Sequence, residues 1–177
     1  AKAFGMNILA YDPYVSEEVG RDQGVTLVEL DDLLRGSDYV TLHTAFSPES
    51  AEMINAESIA MMIDGAILIN DARGKLVNES DLAEALKSGK LKAAGIDVYS
   101  SEPPAADNPL IGLPNVVHTP HLGASSREAE REVGIQIARQ VVAALRGEDF
   151  ANSVNMPYDV PDSFAKILPY MELAERL

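Results

Sequence analysis

Cysteine and tryptophan are both absent from this chain of 177 residues. Without thiols the chain can form no disulfide bond, no thiolate metal site and no cysteine-based catalytic centre. It also has no run of 18 apolar residues, which a transmembrane helix would need, and its amino end lacks the apolar core and cleavage site of a secretion signal. We therefore expect a soluble protein that resides in the cytoplasm.

Basic side chains are scarce, since 14 Lys and Arg residues stand against 28 Asp and Glu residues and leave a formal net charge of -14. A chain this acidic is a poor partner for the phosphates of nucleic acids or for an anionic membrane surface, and we expect neither partner. The hydrophobic fraction of 46% is sufficient for a core, and the length suits one domain of ordinary size.

Short apolar runs typical of buried strands alternate along the chain with segments of helical spacing. The strand candidates are residues 7–11, 25–27, 38–43, 66–70, 93–98 and 115–119. The helix candidates are residues 30–36, 55–62 and 78–89, followed by a long helix that starts near Ser125. Strands that alternate with helices at this spacing are typical of βαβ units, so the sequence predicts an α/β fold with a doubly wound parallel sheet.

The long helix is the most regular segment of the chain. Ser125 and Glu128 have the S-x-x-E spacing of a capping box, and Gly147 marks a helix end. Its apolar residues recur every four positions, at Ala129, Val133, Ile137, Val141 and Leu145. This stripe is explained equally well by packing on the sheet of its own domain and by a subunit interface.

Both ends of the chain resemble interrupted helices. Residues 1–5 are typical of a last helical turn with Gly5 as its C-cap, and residues 171–177 are typical of a first turn. We therefore expect the natural protein to continue beyond both ends.

Four groups of polar residues follow successive strand candidates. The first is Asp12, after the strand at 7–11. In dinucleotide-binding folds an acidic residue at this place binds the adenosine ribose hydroxyls and favours NAD over NADP. Asp before Pro13 is also an ordinary turn residue, and the partner motif G-x-G-x-x-G is absent from the chain. We expect that motif just upstream of Ala1.

The second group is the segment from Asn70 to Gly74, which contains Arg73. A guanidinium at the carboxyl end of a strand is suited to bidentate binding of a substrate carboxylate, although Arg73 is equally plausible as a surface residue in a turn. The third group is Asp97 with Glu102. A carboxylate in this position is suited to orient a histidine and to stabilise its imidazolium, whereas the alternative is a polar loop.

The fourth group contains His121, whose imidazole titrates near neutral pH and is suited to general acid/base work. His118 and His121 flank a proline in extended chain, so they do not share a helical face, and with no third ligand we expect no metal. A structural imidazole remains an alternative. The segment from Gly123 to Ser126 opens a helix and can bring backbone N–H groups to a ligand.

In combination these groups resemble the D-isomer-specific 2-hydroxyacid dehydrogenases. The matching segments are AYDPY, LHTAFSPES, LINDARG, GIDVYSSEPP and HTPHLGASSREA. The resemblance implies a Rossmann-like NAD-binding domain over residues 1–150, truncated at its N-terminal side. It also implies that residues 151–177 are an exit segment towards a substrate or regulatory domain. A small 2-hydroxy or 2-keto acid is the implied substrate, NAD the cofactor, and a homo-oligomer, dimer or tetramer, the implied assembly.

The resemblance also implies a role for individual residues. Arg73 matches the arginine that binds the substrate carboxylate, His121 the acid/base and Glu102 its carboxylate partner. The implied cofactor contacts are Asp12, Thr44, Asp71, Ala72, Arg73, Asp97, His121, Leu122, Gly123 and Ala124, with Asp97 near the nicotinamide carboxamide.

The chain departs from the family pattern at Ala45, where proline is common, and at Asp71, whose charge beside the cofactor is unexplained. Phosphoglycerate, glyoxylate, hydroxypyruvate and D-lactate all remain candidate substrates, and a non-catalytic NAD-sensing scaffold is the alternative function.

Overall fold

The computed structural model of the protein describes residues 1–123, residues 125–146 and Tyr170. The chain divides into two compact units, Ala1–Gly123 and Ala124–Leu177. All of the described strands lie in the first unit, and the main described element of the second unit is one long helix. No helix in these described ranges combines the length and the apolar character needed to cross a membrane.

The strands of the first unit all pair in parallel. They are β1 Leu9–Ala10, β2 Thr26–Leu27, β3 Tyr39–Leu42, β4 Ala66–Asn70, β5 Leu91–Ile96 and β6 Val116–His118. β1 pairs with β2 in one sheet, and the other strands form a second sheet in the order β3-β4-β5-β6. The predicted strands all form and the parallel α/β fold is confirmed, although the described strands form two sheets.

Helices alternate with these strands as the spacing predicts. They are α1 Glu17–Asp22, α2 Leu30–Gly36, α3 Ala56–Met61, α4 Glu79–Ser88 and α5 Arg127–Leu145, with 3-10 helices at Lys2–Phe4 and Gly74–Leu76. Gly5 ends the first 3-10 helix in the left-handed conformation with φ 69°, as the sequence predicts for its C-cap. The sequence did not predict α1, because its only buried residue is Gly20 and it has no apolar stripe.

Side-chain caps determine where four of the described helices begin, and in α1 the Oγ of Ser16 accepts the Val19 N–H at 3.4 Å. Asn55 and Asn78 cap α3 and α4 by accepting hydrogen bonds from backbone N–H groups of the first turn. The predicted capping box of Ser125 and Glu128 is wrong, because Ser126 caps α5 and its Oγ accepts from the Ala129 N–H at 3.1 Å. The cap must reach the third helical N–H, so α5 begins one residue later than the motif suggests. Gly147 lies outside the described residues.

One face of the four-stranded sheet contributes to the core, together with α2, α3 and α4. The side chains of Leu68, Ala94 and Ile96 point to this buried face, and Ile69 and Val117 on the opposite face are exposed. This alternation is the period of two that a strand imposes. Because the strands are parallel, their carboxyl ends meet at one edge, where ligands bind in sheets of this type.

Candidate active site

The carboxyl ends of β4, β5 and β6 lie side by side, since Asn70 pairs with Ile96 and Ile96 pairs with His118. The chain leaves all three strands at the same level of the sheet. The loops that follow them carry the predicted site residues Arg73, Asp97, Glu102 and His121. The topology therefore brings these loops to one edge.

Glu102 and His121 form a direct pair. Glu102 Oε2 lies 2.7 Å from His121 Nδ1, and Glu102 Oε1 accepts the Tyr99 backbone N–H at 3.1 Å. The hydrogen bond from His121, and next the one from Tyr99, hold the pKa of the Glu102 carboxyl below its ordinary value. An ionised carboxylate only accepts hydrogen bonds, so Nδ1 of His121 donates and Nε2 is the nitrogen that can exchange a proton.

Asp97 holds the loop that carries His121. Its buried carboxylate accepts from Thr119 Oγ1 at 2.5 Å and from the backbone N–H groups of Leu122 and Gly123, both at 2.8 Å. Burial alone raises the pKa of Asp97, but these hydrogen bonds outweigh it and the pKa lies below its ordinary value. The N–H of His121 donates to the Asp97 carbonyl at 2.9 Å, which helps to hold His121 at φ 57°. For a residue other than glycine this conformation costs roughly 1–3 kcal/mol.

Asn70 organises the loop that carries Arg73. This side chain is 1% exposed; its Oδ1 accepts the Ala72 N–H at 3.1 Å and its Nδ2 donates to the Arg73 carbonyl at 3.0 Å. Arg73 Nη1 donates to the Ala72 carbonyl at 2.6 Å. The structure thus joins Glu102 to His121 directly, whereas the guanidinium of Arg73 is hydrogen-bonded to its own loop.

A cavity of about 340 Å³ lies at the same edge of the sheet. Its lining includes Ile69, Gly95 and Val117 from the strands, with Asp97 and Leu122 at the loop end. The volume lies in the range of small-molecule and cofactor sites, which combine apolar walls with a few polar groups.

Asp71, whose charge the sequence left unexplained, also lines this cavity. Its Oδ1 lies 3.7 Å from Nδ1 of His43, and Nε2 of that ring lies 3.0 Å from Thr41 Oγ1. The backbone oxygen of Asp71 lies 3.7 Å from the place that a Cβ on Gly123 would occupy. The loops after β4 and β6 are therefore close neighbours.

The remaining predicted cofactor contacts are more dispersed. Asp12 follows β1, in the two-stranded sheet, and its Oδ1 accepts the Tyr14 N–H at 2.9 Å, which is the turn geometry that the sequence left open. Thr44 is exposed after β3. Ala124 lies outside the described residues. The backbone N–H of Gly123, the first of the segment expected to offer N–H groups to a ligand, donates to Asp97 instead, as does the N–H of Leu122.

The two histidines of the HTPH segment have separate partners. His118 Nδ1 contacts the hydroxyl of Tyr99, and the two rings stack, while His121 contacts Glu102. Within residues 1–123 and 125–146, no group of three or more His, Asp or Glu residues could hold a metal ion.

Sequence reasoning assigned no role to Asn70, Glu79, Tyr99 or Thr119, although each of them holds a site loop in place. For Asn70 a signal existed, because it is the one polar residue at the end of an otherwise apolar strand, and a polar side chain that is buried there needs partners. The partners of Glu79 and Thr119 lie more than 20 residues away, and no local pattern identifies them.

The fold and the site together define an α/β domain of the class that binds a dinucleotide at the carboxyl edge of its parallel sheet. The family model described as D-isomer specific 2-hydroxyacid dehydrogenase, NAD binding domain, matches residues 1–123, and the chain belongs to this family. The predicted family and NAD as its cofactor are confirmed.

Curated proteins that are similar in sequence carry names that belong to the same family. The chain is 48% identical to D-3-phosphoglycerate dehydrogenase of Methanocaldococcus jannaschii over 178 residues, which cover 100% of the chain and 34% of that protein. It is 46% identical to the Archaeoglobus fulgidus protein of the same name, covering 99% of the chain and 33% of that protein. The chain spans about a third of the length of these curated relatives.

Two solved structures show the same fold. A glyoxylate reductase from Paecilomyes thermophila superimposes with a TM-score of 0.76 at 31% identity, over 87% of this chain and 46% of that one. The D-lactate dehydrogenase from Aquifex aeolicus, complexed with NAD and lactic acid, superimposes with a TM-score of 0.70 at 33% identity, over 82% of this chain and 48% of that one.

Proposed function

We propose that the whole protein carrying this chain is an NAD-dependent dehydrogenase that oxidises D-3-phosphoglycerate to 3-phosphohydroxypyruvate in serine biosynthesis. The observation that carries the catalytic part is the pair formed by Glu102 and His121 beside a cavity at the sheet edge. The substrate is supported by the two curated relatives at 46–48% identity, both named D-3-phosphoglycerate dehydrogenase.

In this mechanism His121 takes the proton of the substrate hydroxyl at Nε2, and Glu102 stabilises the imidazolium that forms. Arg73 binds the substrate carboxylate and polarises the oxygen at C2, for which its guanidinium turns away from the Ala72 carbonyl. NAD, when bound, accepts the hydride from C2. The protein contributes the alignment of these groups and the proton transfer.

We also propose that NAD lies along the edge defined by the predicted contacts. Asp12 would bind the adenosine ribose, and Asp97 and Asp71 would face the nicotinamide end, where both line the cavity. Thr44, Ala72, Arg73 and the segment from His121 to Ala124 complete the proposed set. The whole protein is proposed to be a cytoplasmic homo-oligomer, a dimer or tetramer, which light scattering after gel filtration would measure.

The variant His121→Ala in the whole protein tests the catalytic assignment. Turnover should fall by roughly 10²–10⁴-fold, the usual contribution of a general base, and the Kd for NAD should change little because the other proposed cofactor contacts remain in place. Stopped-flow NADH absorbance measures turnover, and fluorescence titration measures NAD binding. Undiminished turnover would refute the role of His121.

A substrate panel tests the finer proposal. Specificity constants for D-3-phosphoglycerate, glycolate, D-glycerate and D-lactate should favour the phosphorylated acid. The glyoxylate reductase and D-lactate dehydrogenase among the similar structures favour the alternative acids, so a preference for one of these would replace the substrate but keep the mechanism. Absence of turnover with every acid, with NAD still bound, would favour the sensing scaffold.

A further inference from the structure

Glu79 connects α4 to the segment that follows β5. It is the first residue of α4, and its Oε1 accepts the backbone N–H of Ser100 at 2.7 Å while its Oε2 accepts from Asn108 Nδ2 at 2.7 Å. One carboxylate therefore forms hydrogen bonds with both ends of the segment from residue 100 to residue 108. Hydrogen bonds to an ionised acceptor are roughly twice as strong as those between neutral groups.

The segment that Glu79 holds, residues 100–108, contains Glu102. The N–H of Ser100 donates to Glu79, and the N–H of the preceding residue, Tyr99, donates to Glu102 Oε1 at 3.1 Å. Glu102 Oε2 then lies 2.7 Å from His121 Nδ1. The position of the Glu102 carboxylate therefore depends on the backbone that Glu79 holds.

The arginine loop packs against the same peptide. A Cβ on Gly74 would lie 1.9 Å from the carbonyl carbon of Tyr99 and 2.4 Å from the nitrogen of Ser100. Real atoms cannot approach so closely, so only glycine permits this contact. Gly74 directly follows Arg73 and begins the 3-10 helix at Gly74–Leu76, which leads through the cap Asn78 to Glu79.

We propose that Glu79 is a positioning residue, which sets the place of the Glu102–His121 pair relative to Arg73. The peptide between Tyr99 and Ser100 is in contact with Gly74 and is hydrogen-bonded to Glu79, so the two loops move as one body. The proposal rests on the function proposed above for Glu102 and His121. The carboxylate also suits its place, because the first turn of a helix stabilises negative charge.

The first test measures the pKa of the Glu102 carboxyl in the 177-residue chain, by NMR of carbon-13-labelled glutamate during a pH titration. His121 and the Tyr99 N–H lower the pKa of this carboxyl, whereas its partial desolvation and the charge of Asp97 raise it. In Glu79→Ala the Tyr99–Ser100 backbone is released, and the pKa of Glu102 should rise towards its ordinary value. A stabilising role alone would lower the melting temperature and leave this pKa unchanged.

Two further variants keep the test decisive. Glu79→Gln retains an oxygen for the Ser100 N–H and should give a smaller rise, and it decides the question if the alanine variant does not fold. Glu84→Ala is the matched control, because Glu84 lies on the same helix and pairs at the surface with Lys87 at 3.1 Å. A Glu102 pKa that is unchanged in the Glu79 variants, or equally changed in Glu84→Ala, would overturn the proposal.

The second test measures activity in the whole protein that carries this chain. Glu79→Ala should lower kcat on the order of 10- to 100-fold, since displacement of a reacting group by about 1 Å costs up to about that much. The KM for NAD should stay within about 2-fold, and Glu79→Gln should restore part of kcat. An inactive wild-type protein would overturn the proposed function but leave the NMR test of Glu79 valid. An unchanged kcat in an active protein would overturn the positioning role.

Discussion

At the scale of single residues, buried polar side chains hold the loops, and exposed ones are available for chemistry. Asp97 and Asn70 are 8% and 1% exposed and are hydrogen-bonded to the backbone of the loops after β6 and β4. An unpaired polar group in such a place costs roughly 1–3 kcal/mol, so these contacts fix the loops firmly. Glu102 and His121 are much more exposed, as the catalytic role proposed for them requires.

The variant Asp97→Asn tests this arrangement. It places an NH₂ group opposite a backbone N–H donor, that of Leu122 or Gly123, and should lower the free energy of unfolding at pH 7 by roughly 1–3 kcal/mol. The folded pKa of Asp97 lies below its ordinary value of 3.8, so the carboxylate stabilises the fold above that value. This contribution is lost as pH falls through the folded pKa.

Urea unfolding of the chain at a series of pH values checks the prediction. The difference between wild type and Asp97→Asn should shrink steadily as pH falls below 3.8. Asp31→Asn serves as the control, because Asp31 forms only an exposed ion pair with Arg35 at 3.2 Å, and its effect should be below about 1 kcal/mol. A difference that does not depend on pH would contradict the assignment.

At the scale of elements, the existence of each strand was predictable and its bounds were less so. β4 forms at Ala66–Asn70 as predicted, because its apolar run is continuous. β5 was expected at 93–98 but forms at Leu91–Ile96, since Leu91 is buried and pairs with Ala66 across a register irregularity. The small residues at the centre of β5 give a weak apolar signal, so the sequence did not reveal that the strand begins at Leu91. That beginning depends on the pairing of β5 with β4.

The beginning of α5 provides a test at this scale with a matched pair of serines. Ser126→Ala removes the cap of the Ala129 N–H and should cost about 1 kcal/mol, whereas Ser125→Ala should have almost no effect. Thermal unfolding followed by circular dichroism compares the two variants. A larger loss of stability in Ser125→Ala than in Ser126→Ala would support the capping box that the sequence suggested.

At the scale of the whole molecule, the chain contains no G-x-G-x-x-G segment, the element whose backbone N–H groups hold the pyrophosphate in folds of this class. We therefore expect the 177-residue chain by itself to bind NAD with a Kd weaker than about 1 mM, and to be inactive. Isothermal titration of the chain with NAD measures this, with the whole protein as the positive control. Micromolar binding by the chain alone would contradict the prediction.

The domain boundary predicted at residue 150 stays a prediction, because residues 151–177 lie outside the described part except for Tyr170. The family model ends at residue 123, where the first compact unit also ends.

The sequence by itself determined the order of the candidate site residues: which acid, guanidinium and imidazole follow which apolar run, and so that the loops carrying them lie at one edge of a parallel sheet. Periodicity carries this information because it reports which side of an element is buried. Only the tertiary structure decided that Asp97 holds the His121 loop and that Glu79 reaches Ser100. A carboxylate forms hydrogen bonds with the donors that packing places within about 3 Å of it. When such a donor lies 20 or more residues away in the sequence, the local spacing of residues does not reveal it.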